Sequence, residues 1–264
     1  MVLLMDFTEE QVRRYARHIL LPQVGAKGQD ALLSSRVLVV GAGGLGSPVL
    51  MYLAAAGVGT LGIVDDDRVD LSNLQRQIAH TTDRVGEHKV DSACRTILDL
   101  NPDVRIEAVA ERLRPDNIQD LFSGYDLIAD CSDNFETRFL VNDTAVRSGK
   151  TLVSAAVLQF QGQLWTVRPG GEGPCCRCLF REPPPAGDGP SCAEAGILGS
   201  VAGVLGTLQA TEILKELLGI GEGLCGRVLV YDALSARMRT ITAHRDPECP
   251  LCSEPASANS RFVP

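Results

Sequence analysis

After an apolar MVLLM start, the chain enters a polar segment with the spacing of an amphipathic helix. This pattern predicts helix over roughly Thr8 to Leu33, with DFTEE supplying a capping signal at its start. RVLVVGAGGLGS comes next, a run of apolar β-formers that breaks into glycines and predicts a buried strand, a tight turn and a helix start. The helix is expected over Pro48–Ala56, ended by Gly57 and Gly59. TLGIVDDD reads as a second buried strand ending in acids, and RIEAVA and DLIADCSD as two more. Helices are expected at about Lys89–Leu100 and Glu136–Ser148. Apolar strands alternating with helices argue for a parallel, doubly wound sheet covered on both faces.

The pattern changes after Lys150. TLVSAAVLQFQGQLWTVRP predicts two antiparallel strands joined tightly through Gln161-Gly162. PCCRCLFREPPPAGDGPSC is dense in Pro, Gly and Cys and reads as a surface loop, mobile in part. A helix over Gly196–Leu218 comes next, then strands at GRVLVYDAL and MRTITAHR, then a disordered tail over 253–264. The most apolar run, Ile197 to Leu208, is shorter than the roughly 20 residues that span a bilayer, so it reads as a buried helix. The fold class expected is α/β: a Rossmann-like, doubly wound mixed sheet, parallel at first and extended by antiparallel C-terminal strands. Residues 1–252 are expected to form one domain, with a helical arm over 8–33, a nucleotide-binding part over 36–150 and a partner-binding, metal-holding part over 151–252.

Composition narrows the function. At 45% hydrophobic and 22% charged the chain has apolar residues enough for a full core. A net charge of -8 argues against nucleic acid as a partner, because phosphate binding needs a basic surface. MVLLMDFTEEQ lacks the basic start of a secretory leader, and no segment reads as a membrane span, so the expectation is a cytoplasmic protein. The nine cysteines are then to be read as metal ligands, reactive thiols or small core residues.

Gly41-Ala42-Gly43-Gly44-Leu45-Gly46 satisfies G-x-G-x-x-G between a strand and a helix. Glycines let backbone approach a ligand, and the helix N-terminus favours phosphate. Asp65 ends the second strand nineteen residues past Gly46, where a ribose-binding acid belongs. The default reading is a dinucleotide oxidoreductase using NAD. The residues after Asp65 point elsewhere: DDDRVDLSNLQRQ carries Asn73 and Arg76, and Lys89 lies thirteen residues on. A triphosphate needs such cations beside it, and a carboxylate for Mg²⁺. Asp130 and Asp133 of DCSDN, at the carboxyl end of a later strand, offer that carboxylate. On composition alone, Arg76 and Lys89 read equally well as a solvated basic surface.

Cys175 with Cys178, and Cys249 with Cys252, form two C-x-x-C pairs about seventy residues apart, the pattern of a four-thiolate structural zinc site. Cys176 leaves an alternative spacing open. Cys94, Cys131 and Cys225 read as core or semi-exposed residues. Cys192 comes after a glycine-rich loop at an expected helix start, a setting that favours thiolate.

GAGGLGSP, AGVGTLGIVDDDRVDLSNLQRQ, GEHKVDSA and DCSDNFETR together resemble the MoeB/ThiF/HesA family, bacterial relatives of ubiquitin-activating enzymes, over about Tyr15 to Cys252. The resemblance implies ATP and Mg²⁺, and adenylation of the C-terminal glycine of a ubiquitin-fold sulfur carrier ending in Gly-Gly. Gly44 and Asp65 would contact the nucleotide along with Gly41, Gly43 and Gly46, and Asn73, Arg76 and Lys89 would contact phosphates. Asp133 would ligate Mg²⁺. Asp67, Ser72 and Asn134 complete the implied nucleotide site. Arg17 of RYARHILL resembles the arginine that enters the partner subunit's site across a homodimer. The same Zn²⁺ site is implied, and Cys192 stands where some members carry a reactive thiol. With no sulfurtransferase segment after Cys252, sulfur is expected from a separate sulfurtransferase or cysteine desulfurase. Three functions compete: the adenylyltransferase, an NAD oxidoreductase, and a non-catalytic zinc-stapled binding module. Carriers of molybdopterin synthesis, thiamine synthesis, tRNA thiolation and cysteine synthesis all end in the same kind of Gly-Gly tail.

Overall fold

Strand β1 (Arg36–Val40) sets the architecture. Val37 and Val39 enter one core, and Leu38 and Val40 enter another on the opposite face. A strand apolar on both faces must be covered on both, which is the condition of a doubly wound sheet. The computed structural model describes residues 7–170, 173–182 and 196–253. Around β1 lie β2 (Thr60–Val64), β3 (Arg105–Val109), β4 (Leu127–Asp130) and β5 (Thr151–Leu158), all parallel. Then β6 (Gln161–Val167), β7 (Arg227–Asp232) and β8 (Arg237–Thr242) add on antiparallel. The order is β3-β2-β1-β4-β5-β6-β7-β8, an eight-stranded mixed sheet of Rossmann-like type. The chain reverses its winding between β2 and β4, so their carboxyl ends flank that of β1 and open the crevice where such sheets bind ligands.

Helices α3 (Gly46–Ala56), α4 (Lys89–Leu100) and a long C-terminal helix, α8 (Gly199–Leu218), cover one face. Helices α5 (Ile118–Ser123) and α6 (Phe135–Arg147) cover the other, joined there by a single turn, α7 (Cys176–Leu179). No helix among the described residues is long and apolar enough to cross a membrane.

The N-terminal arm, helical over Thr8–Leu33 as expected, consists of two helices. Helix α1 (Glu9–Ile19) carries the anticipated capping box, between Thr8 and Gln11. The chain turns at Leu20–Val24, where Pro22 brings no N–H and Gly25 takes φ +59°, before α2 (Gly25–Ser34) begins. Tyr15 pins the arm: it is buried, and its hydroxyl accepts from Asn101 Nδ2 at 2.9 Å while the same amide reaches Ala54 O at 2.7 Å.

A correction concerns the β5–β6 hairpin. The turn is at Gln159-Phe160, with Gln159 at φ +54°, rather than at Gln161-Gly162. Gly162 pairs with Val157 inside the ladder. It is glycine because α8 crosses there: a Cβ on Gly162 would lie 2.4 Å from Leu205 Cγ. The signal was real but reported a close approach, not a turn. Helix α8 itself begins at Gly199, three residues after the expected start, because Gly196 at φ +74° lies outside helical backbone space.

Substituting Gly162→Val should therefore overpack the β6–α8 contact and lower stability by roughly 1–3 kcal/mol, read as a shift of the urea midpoint. An unchanged midpoint would mean that α8 rides over the strand with room to spare.

Candidate functional site

The glycine loop leaves β1 where backbone crosses backbone. Gly41 donates its N–H to Val64 O at 2.9 Å, and a Cβ there would meet Cys131 O at 3.0 Å. A Cβ on Gly46, the first residue of α3, would lie 1.9 Å from Gly41 O. No side chain fits at that crossing, so the loop must be glycine to bend directly into the helix. Ser47 Oγ then donates to Gly43 O at 2.8 Å and closes the turn. Among the described residues, the N–H groups of Gly43 and Gly44 donate to no protein acceptor. They are available to an anion at the helix start.

Asp65, at the end of β2, accepts from Ala42 N–H at 2.8 Å and from Asp67 N–H at 2.9 Å. It thus ties the loop after β2 to the glycine loop. Burial raises its carboxyl above the ordinary carboxylate range, with Lys89 and the two amides pulling the other way. Lys89 opens α4 and is only 4% exposed. Its Nζ donates to Asp67 Oδ2 at 2.7 Å. This is its one ion pair among the described residues, with Asp65 and Asp70 also within electrostatic reach.

Arg76 lies over the loop from the other side. A Cβ on Gly44 would be 3.5 Å from Arg76 Cγ. Its guanidinium donates to Asn73 Oδ1 at 2.9 Å and to Ser72 O at 3.2 Å, both in the 3₁₀ turn Leu71–Asn73. Gly199 of α8 packs on this segment, its Cβ position 2.2 Å from Gln75 O.

The end of β4 separates two acids that look alike in DCSDN. Asp130 is fully buried and committed: it accepts from Ser132 N–H and Oγ (3.0 and 2.5 Å) and Ser154 Oγ (2.6 Å), with Arg138 Nε at 3.6 Å. Asp133 is exposed, its nearest polar partner being Asn134 Nδ2 at 3.5 Å. Of the two, Asp133 is free to take a metal ion. Asn134 has a separate duty, capping α6 by accepting from Thr137 N–H at 2.8 Å. Arg138 braces the loop by donating to Ser132 O and Ala155 O, each at 2.8 Å, with its guanidinium 5.4 Å from the Trp165 ring centre.

Two polar side chains here escaped the sequence reading. Gln77 is buried, and its Oε1 has no hydrogen-bond partner among the described residues; its Nε2 lies 3.5 Å from where a Cβ on Gly43 would stand. His80 is buried with Nε2 2.8 Å from Ala42 O. Both come after Arg76 in RQIAH, a stretch with no periodicity to mark it. Arg17, by contrast, is exposed on α1 and bonded to no described residue, so the fold of one chain does not bring it into this loop's hydrogen-bond network.

A second cluster lies on the face covered by α6. The Sγ atoms of Cys175 and Cys178 are 3.8 Å apart, those of Cys175 and Cys249 3.6 Å, and those of Cys178 and Cys252 3.4 Å. All four lie within 4.8 Å of one another. These separations far exceed a disulfide, and they match the roughly 3.8 Å edge of a tetrahedron with Zn–S bonds of about 2.3 Å. Burial, reinforced by neighbouring thiolates, pushes the Cys175 thiol well up, so the group resists ionising without a cation. Cys176 is outside the cluster; its N–H donates to Asn142 Oδ1 on α6 at 2.8 Å. Arg177 forms a forked pair with Asp143 of the same helix (2.8 and 2.7 Å). Cys94 and Cys225 are half-buried and Cys131 is buried, as expected of packing residues. Cys192 and the loop around it lie outside the described residues.

Residues 15–251 match the ThiF family. The chain belongs to that family. It is 52% identical over 254 residues to a sulfur carrier protein adenylyltransferase of Thermus thermophilus, covering 95% of this chain and 94% of that one. It is 49% identical over 254 residues to a SAMP-activating enzyme E1 of Haloferax volcanii, with 96% and 93% covered. An adenylyltransferase and sulfurtransferase MOCS3 of Bos taurus is 49% identical over 248 residues, which are 94% of this chain and 54% of that protein. In fold, this ThiF-family chain resembles a crystal structure of E. coli MccB with ATP (TM-score 0.78, 23% identity, covering 91% of this chain and 75% of that one).

The Asp130–Arg138 pair gives a direct test of how this site is braced. Arg138→Leu should destabilise the fold by about 3–5 kcal/mol in chemical denaturation, because it strands a fully buried carboxylate. A loss under about 1 kcal/mol would show that the three hydroxyl and amide donors to Asp130 suffice alone.

Proposed function

We propose that this ThiF-family chain is an ATP-dependent adenylyltransferase that activates the C-terminal glycine of a ubiquitin-fold sulfur carrier as an acyl-adenylate and releases pyrophosphate. The observation that carries this reading is that a nearly buried lysine, an arginine and an exposed carboxylate all tie back to one glycine loop: Lys89 through Asp67 and Asp65, Arg76 over Gly44, and Asp133 two residues past the Cys131 backbone that lies against Gly41. A dinucleotide pyrophosphate needs only the backbone amides of such a loop. A triphosphate needs the cations and a metal-binding carboxylate as well. The same groups argue against a purely structural module, which has no use for a nearly buried ammonium tied through Asp67 and Asp65 to a glycine loop.

The chemistry rests on charge and position. The carrier's carboxylate is ionised at neutral pH and needs no general base. One of its oxygens attacks the α-phosphorus as the bond to the β-phosphate bridging oxygen breaks, and pyrophosphate leaves with the electron pair. The residues' task is alignment and neutralisation. The amides of Gly43 and Gly44 receive phosphate oxygens, Asp65 holds the ribose, and Lys89 and Arg76 share the charge that grows on the leaving group. Asn73, with Ser72, holds the Arg76 guanidinium in place. Asp133 is the residue to hold Mg²⁺, which supplies further neutralisation of the phosphates. Arg17 belongs in this scheme to a homodimer, reaching the partner's site. Residues 151–252 would form the part that receives the carrier, with Cys175, Cys178, Cys249 and Cys252 holding a structural Zn²⁺.

The deciding experiment is ATP–pyrophosphate exchange measured with and without a purified carrier ending in Gly-Gly. Exchange that appears only with the carrier supports the reading. Tight NAD binding without exchange would overturn it. Asp133→Ala should lower exchange by roughly 100-fold or more while carrier affinity is unchanged, since the residue acts on the phosphates and not on the protein partner. Equal loss of carrier affinity would make Asp133 a structural residue.

Metal analysis should find one zinc per chain. Cys249→Ser should abolish that stoichiometry and cost several kcal/mol of stability, because structural zinc contributes folding free energy directly. Metal-free purified protein with four titratable thiols at these positions would rule the site out.

A further inference from the structure

We infer that His80 is a positioning residue for the nucleotide loop, its imidazole Nε2–H holding the Ala42 carbonyl so that the next amide is presented to the triphosphate. This rests on the adenylyltransferase reading above. The partners fix the tautomer. Ala42 O can only accept, so Nε2, 2.8 Å away, carries the hydrogen. Nδ1 of a neutral ring then accepts, and Ser92 Oγ at 3.0 Å is its donor. Both ring nitrogens of the neutral imidazole are then satisfied. Burial, with Lys89 and Arg84 nearby, favours the neutral ring, and the Ala42 carbonyl and Asp65 oppose that only in part.

The consequence lies in the peptide that His80 grips. Ala42 is wholly buried and claimed from both sides: Asp65 Oδ2 takes its N–H at 2.8 Å and His80 takes its carbonyl. A trans peptide is planar, with C=O and N–H pointing in opposite directions. Anchoring the Ala42 carbonyl toward His80 therefore turns the Gly43 N–H away from it, and that N–H has no acceptor among the described residues. Gly43, on one side of this peptide, would otherwise leave it freer to rotate. The grip extends further, because Ser92 sits on α4, the helix that Lys89 opens. One ring thus ties the loop that offers phosphate amides to the helix that brings the phosphate-binding ammonium.

Two amide side chains separate this role from simple core filling. His80→Gln places an amide N–H near the position of Nε2 and can keep the Ala42 bond. His80→Asn places its amide near Nδ1 and can keep only the Ser92 bond. With ATP varied at saturating Gly-Gly carrier, His80→Asn should raise the KM for ATP about tenfold, the worth of one hydrogen bond to a fixed loop, with kcat changed by less than about threefold. His80→Gln should restore KM to within about threefold of wild type, even if both variants lose similar thermal stability. Equal KM values in Asn and Gln, raised or not, would overturn the inference. Nitrogen-15 spectroscopy of the wild-type ring gives an answer even if a variant fails to fold: a protonated Nε2 and a bare Nδ1 are required, and the reverse tautomer or a charged ring refutes the assignment. Absence of carrier-dependent exchange in the wild type would defeat the adenylyltransferase reading itself, while the ring spectrum would still judge the His80–Ala42 bond.

Discussion

At the carboxyl end of β1 two stretches of backbone touch with no room for a side chain between them. The start of α3 lies against Gly41 O so closely that a methyl on Gly46 would overlap it, and Gly41 itself rests on the backbone at the end of β4. Such contact brings the helix N-terminus down onto the sheet at the point where the strand order reverses. The rest of the site takes its position from this crossing. Asp65 can reach Ala42 because β2 runs beside β1, and Asp133 emerges nearby because β4 runs along the other side. A bulkier residue at the crossing would push α3 outward and dissolve these relations together.

The charges around the crossing fall into two kinds that burial distinguishes. Asp130 and Arg138 are sealed in and satisfy each other, together with Ser132, Ser154 and nearby carbonyls; they shape the loop and have nothing left for a ligand. Lys89, Arg76 and Asp133 keep capacity to bind. Paired buried charges hold a geometry, whereas in the proposed function the less committed ones meet the phosphates and the metal ion.

Helix α6 links this crevice to the cysteine cluster. Its first turn is capped by Asn134, the neighbour of Asp133, and two turns on it presents Asn142 and Asp143 to the segment carrying Cys175 and Cys178. The helix is buried over much of its length, so the cysteine-bearing loop is anchored on the same rigid rod that seats the acidic loop.

Much of this was legible in the chain because it depends on local pattern. Apolar runs bounded by glycines marked β1 and β2, and helical spacing placed α4 from Lys89 to Leu100. Two C-x-x-C pairs marked the cysteine cluster, and the glycine fingerprint with Asp65 marked the candidate nucleotide loop. Such features need only neighbours in sequence, so the sequence by itself determined the doubly wound class, the family and the main candidate residues. Other features are settled by groups distant in the chain. Gly162 looked like a turn because nothing local reveals that α8 crosses it. Asp130 and Asp133 looked interchangeable until Ser154 and Arg138 closed around one of them. Cys176 was separable from Cys175 and Cys178 only once α6 had claimed its backbone, and His80 gained a role only when folding set its ring against Ala42. Burial and long-range hydrogen bonding are properties of the packed chain, and they alone decided which of several chemically similar residues remain free to act.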